Sequence, residues 1–307
     1  MALRVIRPGL LTTVQDLGRW GYQAGGMPVA GPMDSYSHKC ANRLVGNPDN
    51  AAALEVTLIG PELEVEADAL CVIAGATFDV TVNGDTVDLS HPCVVPAGGR
   101  IRFGARRAGA RAAFAVRGGV DVPPVLGSRA TSVVARVGPF GGRALRADDV
   151  LPIGAASRDA QVPTPRALSL PDGGARVRIM RGPHDGRFVA DAFATLTTSR
   201  FVLSTQSNRM GYRLDGPSLN HLDDVEILSD ATPIGSLQVP ASGQPILLMA
   251  DRQTTGGYPR IATVITADLP IAGQLAPGDW IAFTECTREQ AIEALRRQET
   301  ELSGASL

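Results

Sequence analysis

A mainly β fold is what this sequence predicts, and three observations carry it. Thirty-four glycines and 22 prolines punctuate the 307 residues, short β-branched and apolar runs lie between them, and few stretches have helical period. In chain order, Asp34 is placed to cap a helix that reaches Val45 and ends at Gly46. Ala69-Leu-Cys-Val-Ile-Ala74 is an apolar run of strand length, and Phe78-Asp-Val-Thr-Val82 alternates apolar and polar residues into the turn Asn83-Gly84. The proline-rich stretch from Val162 to Pro171 reads as a linker. Beyond it, the stretch from Val177 to Met180 is again a strand, and a helix is expected from Gly186 to Leu196. Strands follow from Ile246 to Ala250 and from Ile261 to Ile265. Thr287-Arg-Glu-Gln290 is a capping-box pattern opening a helix around Ala291 to Arg297, and Ser303 to Leu307 are expected to fray.

An internal echo points to two related halves. Val95-Pro-Ala-Gly-Gly-Arg-Ile-Arg-Phe103 parallels Leu275-Ala-Pro-Gly-Asp-Trp-Ile-Ala-Phe283, each a proline-glycine turn feeding an alternating strand. The expected organisation is a β-barrel half over residues 1–160, a second over 172–287, and a C-terminal helix and tail over 288–307.

Composition excludes several function classes. A net charge of −2 supplies no basic field for nucleic acid. No stretch approaches the roughly 18 apolar residues of a spanning helix, and Met1-Ala-Leu-Arg-Val-Ile-Arg-Pro has no apolar signal-peptide core. A cytoplasmic protein without membrane contact is therefore expected. Cys40, Cys71, Cys93 and Cys286 form no C-x-x-C pair, and His38, His91, His184 and His221 have no zinc spacing, so no metal site is expected. Of 29 lysines and arginines only Lys39 is a lysine. That rules out a G-x-x-x-x-G-K-[ST] phosphate loop, and Lys39 has no flanking methionines of the kind that mark a biotinylation site.

The densest polar cluster is Asp251-Arg-Gln-Thr-Thr-Gly-Gly-Tyr-Pro259, a glycine turn between two apolar strands. Gly256 and Gly257 permit close backbone approach, and successive N–H groups there suit an anion. The same pattern also fits a plain hairpin whose Thr and Asp side chains satisfy turn amides. Arg209 and Asp251 are the candidate catalytic residues. Gln15, Arg19, Asn208, Gln253, Thr254, Thr255, Gly256, Gly257 and Tyr258 are the candidate substrate contacts. Guanidinium groups grip carboxylates bidentately and glutamine amides match both sides of another amide, so the set suits a small amide or carboxylate substrate. Asp16 and Arg19 also have the spacing to bridge each other and lock a loop.

Longer motifs carry a family resemblance. They are Pro8-Gly-Leu-Leu-Thr-Thr-Val-Gln-Asp-Leu-Gly-Arg19, Gly31-Pro-Met-Asp34, Ala41-Asn-Arg-Leu-Val-Gly-Asn47, Leu54-Glu-Val-Thr57, Ser207-Asn-Arg-Met-Gly-Tyr-Arg213, Gly235-Ser-Leu-Gln-Val-Pro240 and Gln274-Leu-Ala-Pro-Gly-Asp279. In this order the chain resembles the KipA or allophanate hydrolase subunit 2 family, a biotin-dependent carboxyltransferase domain family, from about Val5 to Phe283. The resemblance implies two cyclophilin-like β-barrel units with a few short peripheral helices. Its branch of 5-oxoprolinase C subunits implies one component, inactive alone, of an ATP-dependent lactam hydrolase that converts 5-oxoproline to glutamate. The implied partners are the other two components, a KipI-like protein (allophanate hydrolase subunit 1) and a LamB/YcsF-like protein. ATP is then used by the assembled complex, with no covalent biotin on this chain. Two alternatives follow from the same family: a carboxyltransferase or allophanate-pathway component, and a regulator that binds a KipI-like kinase inhibitor.

Overall fold

The computed structural model describes residues 1–156, 165–222 and 226–304. The fold is mainly β, with one curled half-barrel sheet and one closed barrel. The chain forms two compact units that are not strictly sequential. The first comprises Met1–Arg19, Ala30–Leu170 and Glu299–Leu307, and the second Trp20–Val29 and Pro171–Gln298. Of the expected linker, residues 162–164 lie outside the described residues, as do the first boundary at 160 and the tail residues 305–307.

The first unit holds nine strands: β1 (Ala2–Arg7), β2 (Leu11–Gln15), β3 (Ala53–Thr57), β4 (Glu62–Val65), β5 (Ala69–Val82), β6 (Asp85–Thr86), β7 (Cys93–Val95), β8 (Arg100–Val116) and β9 (Val150–Pro152). Their path runs β2-β3-β8-β4-β1-β9, with β5 laid along β8. The expected Asn83-Gly84 turn joins β5 to β6, both residues at positive φ as a tight hairpin of this hand requires. The long strand β8 alternates exposed and buried residues from Arg100 to Phe103, then is buried continuously from Gly109 to Val116. The change has a physical cause: the helix Ser35–Leu44 covers the second face there. Its Ala41, with Val45 beyond its end, packs on Ala53, Val72, Ala113 and Ala115, small side chains that let helix and sheet approach closely. Asp34 caps that helix as expected, its Oδ1 accepting from the Ser37 N–H at 2.8 Å. The other face of the sheet closes over Leu3, Leu54, Leu63, Ile101, Phe114 and Leu151.

The second unit holds β10 (Gly174–Arg181), β11 (Arg200–Leu203), β12 (Gly211–Asp215), β13 (Asp230–Ala231), β14 (Ser236–Gln238), β15 (Ile246–Leu248), β16 (Thr255–Gly256), β17 (Arg260–Val264) and β18 (Trp280–Glu285). Seven of them close a barrel in the order β10-β17-β14-β15-β12-β11-β18, sealed by the parallel pair β10 and β18. Closure removes the sheet edges, and Val177, Ile179, Phe201, Tyr212, Leu214, Leu237, Leu247, Ile281 and Phe283 are buried in it.

Two helical expectations change. Over Gly186 to Leu196 the structure has a single tight turn at Asp185–Arg187 and a helix at Ala192–Thr198. Phe188 interrupts them in extended backbone, bridged to His221 with ring centroids 4.6 Å apart. A tertiary ring contact there replaces the continuous helix. The C-terminal helix runs over Arg288–Ser303, longer than its apolar period suggested. Its capping box is reciprocal: Thr287 N–H donates to Gln290 Oε1 at 2.9 Å and Gln290 N–H to Thr287 Oγ1 at 3.3 Å.

Candidate functional site

The segment from Asp251 to Pro259 is not the loop of a hairpin. β15 and β17 do not pair; β14 lies between them and bonds to both. The connection therefore crosses the end of β14 and carries its own short strand, β16, which pairs with β13. This crossing lays the loop on Gln238, the last residue of β14. Gln253 Nε2 donates to Gln238 Oε1 at 3.1 Å, and Gln238 Nε2 donates to the Tyr258 carbonyl at 3.4 Å. Gly256 rests against both amides. A Cβ at that position would stand 2.6 Å from Gln238 Nε2 and 3.3 Å from Gln253 Nε2.

Arg209 and Asp251 meet as a buried bidentate pair, Nε to Oδ2 at 3.1 Å and Nη2 to Oδ1 at 3.0 Å. The backbone repeats the link, with the Asp251 N–H donating to the Arg209 carbonyl at 2.8 Å. Asn208 turns its Oδ1 back to the Met210 N–H at 2.8 Å, an Asx turn that shapes the approach to β12. Thr254 accepts the Thr232 N–H through its carbonyl at 3.0 Å, and the Gly257 carbonyl accepts the Ile227 N–H at 3.0 Å. Thr255 and Tyr258 are exposed.

Two residues of this loop network, Thr232 and Gln238, were not among the candidates, and Arg252 of the polar cluster joins them. Thr232 Oγ1 donates to the Gln253 carbonyl, and its own carbonyl accepts Arg252 Nε at 2.7 Å. Arg252 itself is 9% exposed, and burial holds its guanidinium below the ordinary arginine value. Gln238 belongs to the Gly235–Pro240 motif, and that motif was the available signal for it. Close by, the buried Arg260 donates to the Asp230 carboxylate and the Ala231 carbonyl, while its N–H donates to His184 Nδ1 at 3.3 Å. Burial, with Arg260 second, holds His184 below the usual imidazole range.

In the first unit, Gln15 is fully buried in β2, and its Nε2 donates to Thr13 Oγ1 at 3.0 Å and to the Thr131 carbonyl at 2.9 Å. Arg19 donates through Nε to the Val125 carbonyl and through Nη2 to that of Ala130, both at 2.8 Å. Asp16 accepts from Ser128 Oγ and from the Arg129 N–H, both at 2.6 Å. Asp16 and Arg19 thus both fasten the loop from Val125 to Ala130. Among the described residues no group of three His, Cys, Asp or Glu side chains is placed to hold a metal, and no helix is long and apolar enough to cross a membrane.

The sequence from residue 25 to 285 matches the family described as carboxyltransferase domain, subdomain A and B. The chain belongs to the carboxyltransferase domain family.

Two relatives of this family bracket its range. The C subunit of 5-oxoprolinase from Escherichia coli is 40% identical over 297 residues, 97% of this chain and 95% of that protein. Urea amidolyase of Lachancea kluyveri is 32% identical, covering 97% of this chain but 18% of its own length. The crystal structure of Kluyveromyces lactis urea carboxylase superimposes with a TM-score of 0.93 at 30% identity; the whole chain is covered, against 30% of that structure. In this carboxyltransferase-domain fold, the Asp251 to Pro259 crossing of the second unit is held by side chains from β14 and from the turn before β12.

Proposed function

We propose that this chain is the C subunit of a multicomponent 5-oxoprolinase, which uses ATP to open 5-oxoproline to glutamate together with a KipI-like protein and a LamB/YcsF-like protein. The observation that carries this reading is the 40% identity with the Escherichia coli protein over 297 residues, against 32% for the Lachancea kluyveri urea amidolyase.

The reaction explains why partners are needed. A lactam is resonance-stabilised, and water alone attacks it slowly. Transfer of the γ-phosphoryl group of ATP to the lactam oxygen releases ADP and leaves an electrophilic imidate carbon. Water adds there, the C–N bond breaks with a proton passing to nitrogen, and a second water removes phosphate to leave glutamate. This sequence has no phosphate loop, so ATP chemistry falls to the assembled complex. In this reading Arg209 and Asp251 position the loop as one unit, Gln253 matches the substrate amide, and the backbone from Thr254 to Gly257 faces developing negative charge.

A second reading, transfer of a carboxyl group to a urea-like acceptor, is favoured by the TM-score of 0.93 to the urea carboxylase. It requires a separate biotinylated carrier, because Lys39, the only lysine, sits within the helix Ser35–Leu44. ATP-dependent glutamate release from 5-oxoproline, measured for this chain alone, with its KipI-like partner and with both partners, separates the readings. Turnover in the full set alone is expected. No turnover in any mixture, with carboxylation of urea once a biotinylated carrier and its carboxylase are added, overturns the first reading in favour of the second.

A further inference from the structure

A guanidinium withdrawn from water is costly unless a counter-charge or a full set of acceptors meets it. Arg209 satisfies that condition through Asp251, and Arg260 through Asp230 and the Ala231 carbonyl. Arg252 does not. It is nine-tenths buried, yet among the described residues its guanidinium meets a single acceptor, the Thr232 carbonyl, and no carboxylate. Nε alone makes that bond, so among the described residues the end-on edge between Nη1 and Nη2 has no partner.

We propose that the end-on edge of Arg252 is a receptor for the carboxylate of a small monoanionic ligand. Three features of the loop argue for it. Thr232 holds Arg252 by its carbonyl and Gln253 by its hydroxyl, so the free edge is oriented before a ligand arrives. Among the described residues these charges count to a single positive one: Arg209 cancels Asp251, Arg260 cancels Asp230, and Arg252 remains. One uncompensated positive charge matches a carboxylate, whereas a phosphate dianion leaves a negative charge over. Finally, Gln253 spends its Nε2 on Gln238, which leaves its Oε1 to accept an N–H. A carboxylic acid that also carries an amide N–H, as 5-oxoproline does, satisfies both groups. Only this last step, the identity of the ligand, rests on the oxoprolinase reading.

The test is calorimetric titration of the full chain with 5-oxoproline, acetate and inorganic phosphate, beside Arg252→Gln and Arg252→Lys, each variant also followed by thermal unfolding. Wild type is expected to bind both carboxylates and to bind phosphate more weakly. Arg252→Gln is expected to weaken carboxylate binding at least tenfold with no fall in Tm, because it removes a buried charge that no carboxylate among the described residues compensates. Arg252→Lys is expected to bind between the two, since an ammonium keeps the charge but not the fork. The proposal is overturned if wild type binds neither carboxylate, if Arg252→Gln binds as wild type does, or if phosphate binds as tightly as acetate. It is equally overturned if both variants lose stability together, which marks the guanidinium as structural. Binding of acetate without 5-oxoproline upholds the anion receptor and counts against the oxoprolinase reading alone.

Discussion

Arg209 and Asp251, 42 positions apart, face each other through two parallel hydrogen bonds of 3.1 and 3.0 Å in the buried wall of the second unit. The pair ties the turn before β12 to the loop after β15. Its net contribution relative to a hydrophobic pair is small, but removing one partner alone strands a buried charge.

Asp251→Asn is therefore expected to destabilise the protein by about 3–5 kcal/mol. The double variant Arg209→Met with Asp251→Leu is expected to cost less than Asp251→Asn alone. Urea unfolding of wild type and the two variants checks this, and a double variant less stable than Asp251→Asn contradicts the pairing.

Gly256→Ala probes the amide pair without touching a charge. Gly256 lies in β16 at a backbone angle that alanine also adopts, so the effect is that of the new methyl group, which presses hardest on Gln238 Nε2 and also on Thr232 Cγ2 and Gln253 Nε2. Separation of the two glutamines is expected to cost about 1 kcal/mol of stability. A larger proportional loss is expected in turnover of the assembled complex. Unchanged turnover shows that the amides are packing alone.

His38 gives the protein a pH dependence that does not involve the loop. It is buried in the helix Ser35–Leu44 with Nε2 3.2 Å from Asn42 Nδ2, and burial pushes its imidazole down to about 4 from 6.5. The folded-state value is depressed, so the unfolded chain binds the proton more tightly. The stability this neutral histidine confers is complete above about pH 6.5 and is lost as pH falls toward 4. The gap is worth on the order of 3 kcal/mol. Unfolding free energies of wild type and His38→Gln between pH 4 and 8 are expected to differ by a term that shrinks toward acid; a constant difference rules the mechanism out.

Asp34→Ala tests the helix cap. It removes the acceptor of the Ser37 N–H and of Ser37 Oγ, and a loss of about 1 kcal/mol is expected. Denaturant midpoints for Asp34→Ala and Asp34→Ser read it directly, with the serine variant recovering part of the loss.

Local signals were legible because their causes are local. The Asp34 cap, the Thr287–Gln290 capping box and the Asn83-Gly84 turn depend on atoms a few residues apart, and each stands in the structure as the sequence specifies it. The helix expected from Gly186 is the counterexample. Phe188 leaves helical backbone to stack on His221, a partner that no local window contains.

By itself, then, the sequence determined a mainly β chain, its turns and caps, the family, and the neighbourhood of the polar loop, since these follow from side-chain period, glycine and proline placement and long motifs. The tertiary structure alone decided what that loop touches. β14 lies between β15 and β17, which brings Gln238 to Gln253 across 15 positions and Thr232 to Arg252 across 20. Whether a buried charge is compensated depends on which groups the fold brings to it, and proximity in sequence does not fix that. Arg209, one of the two candidate catalytic residues, is met by Asp251, whereas the neighbouring Arg252 meets a single carbonyl among the described residues.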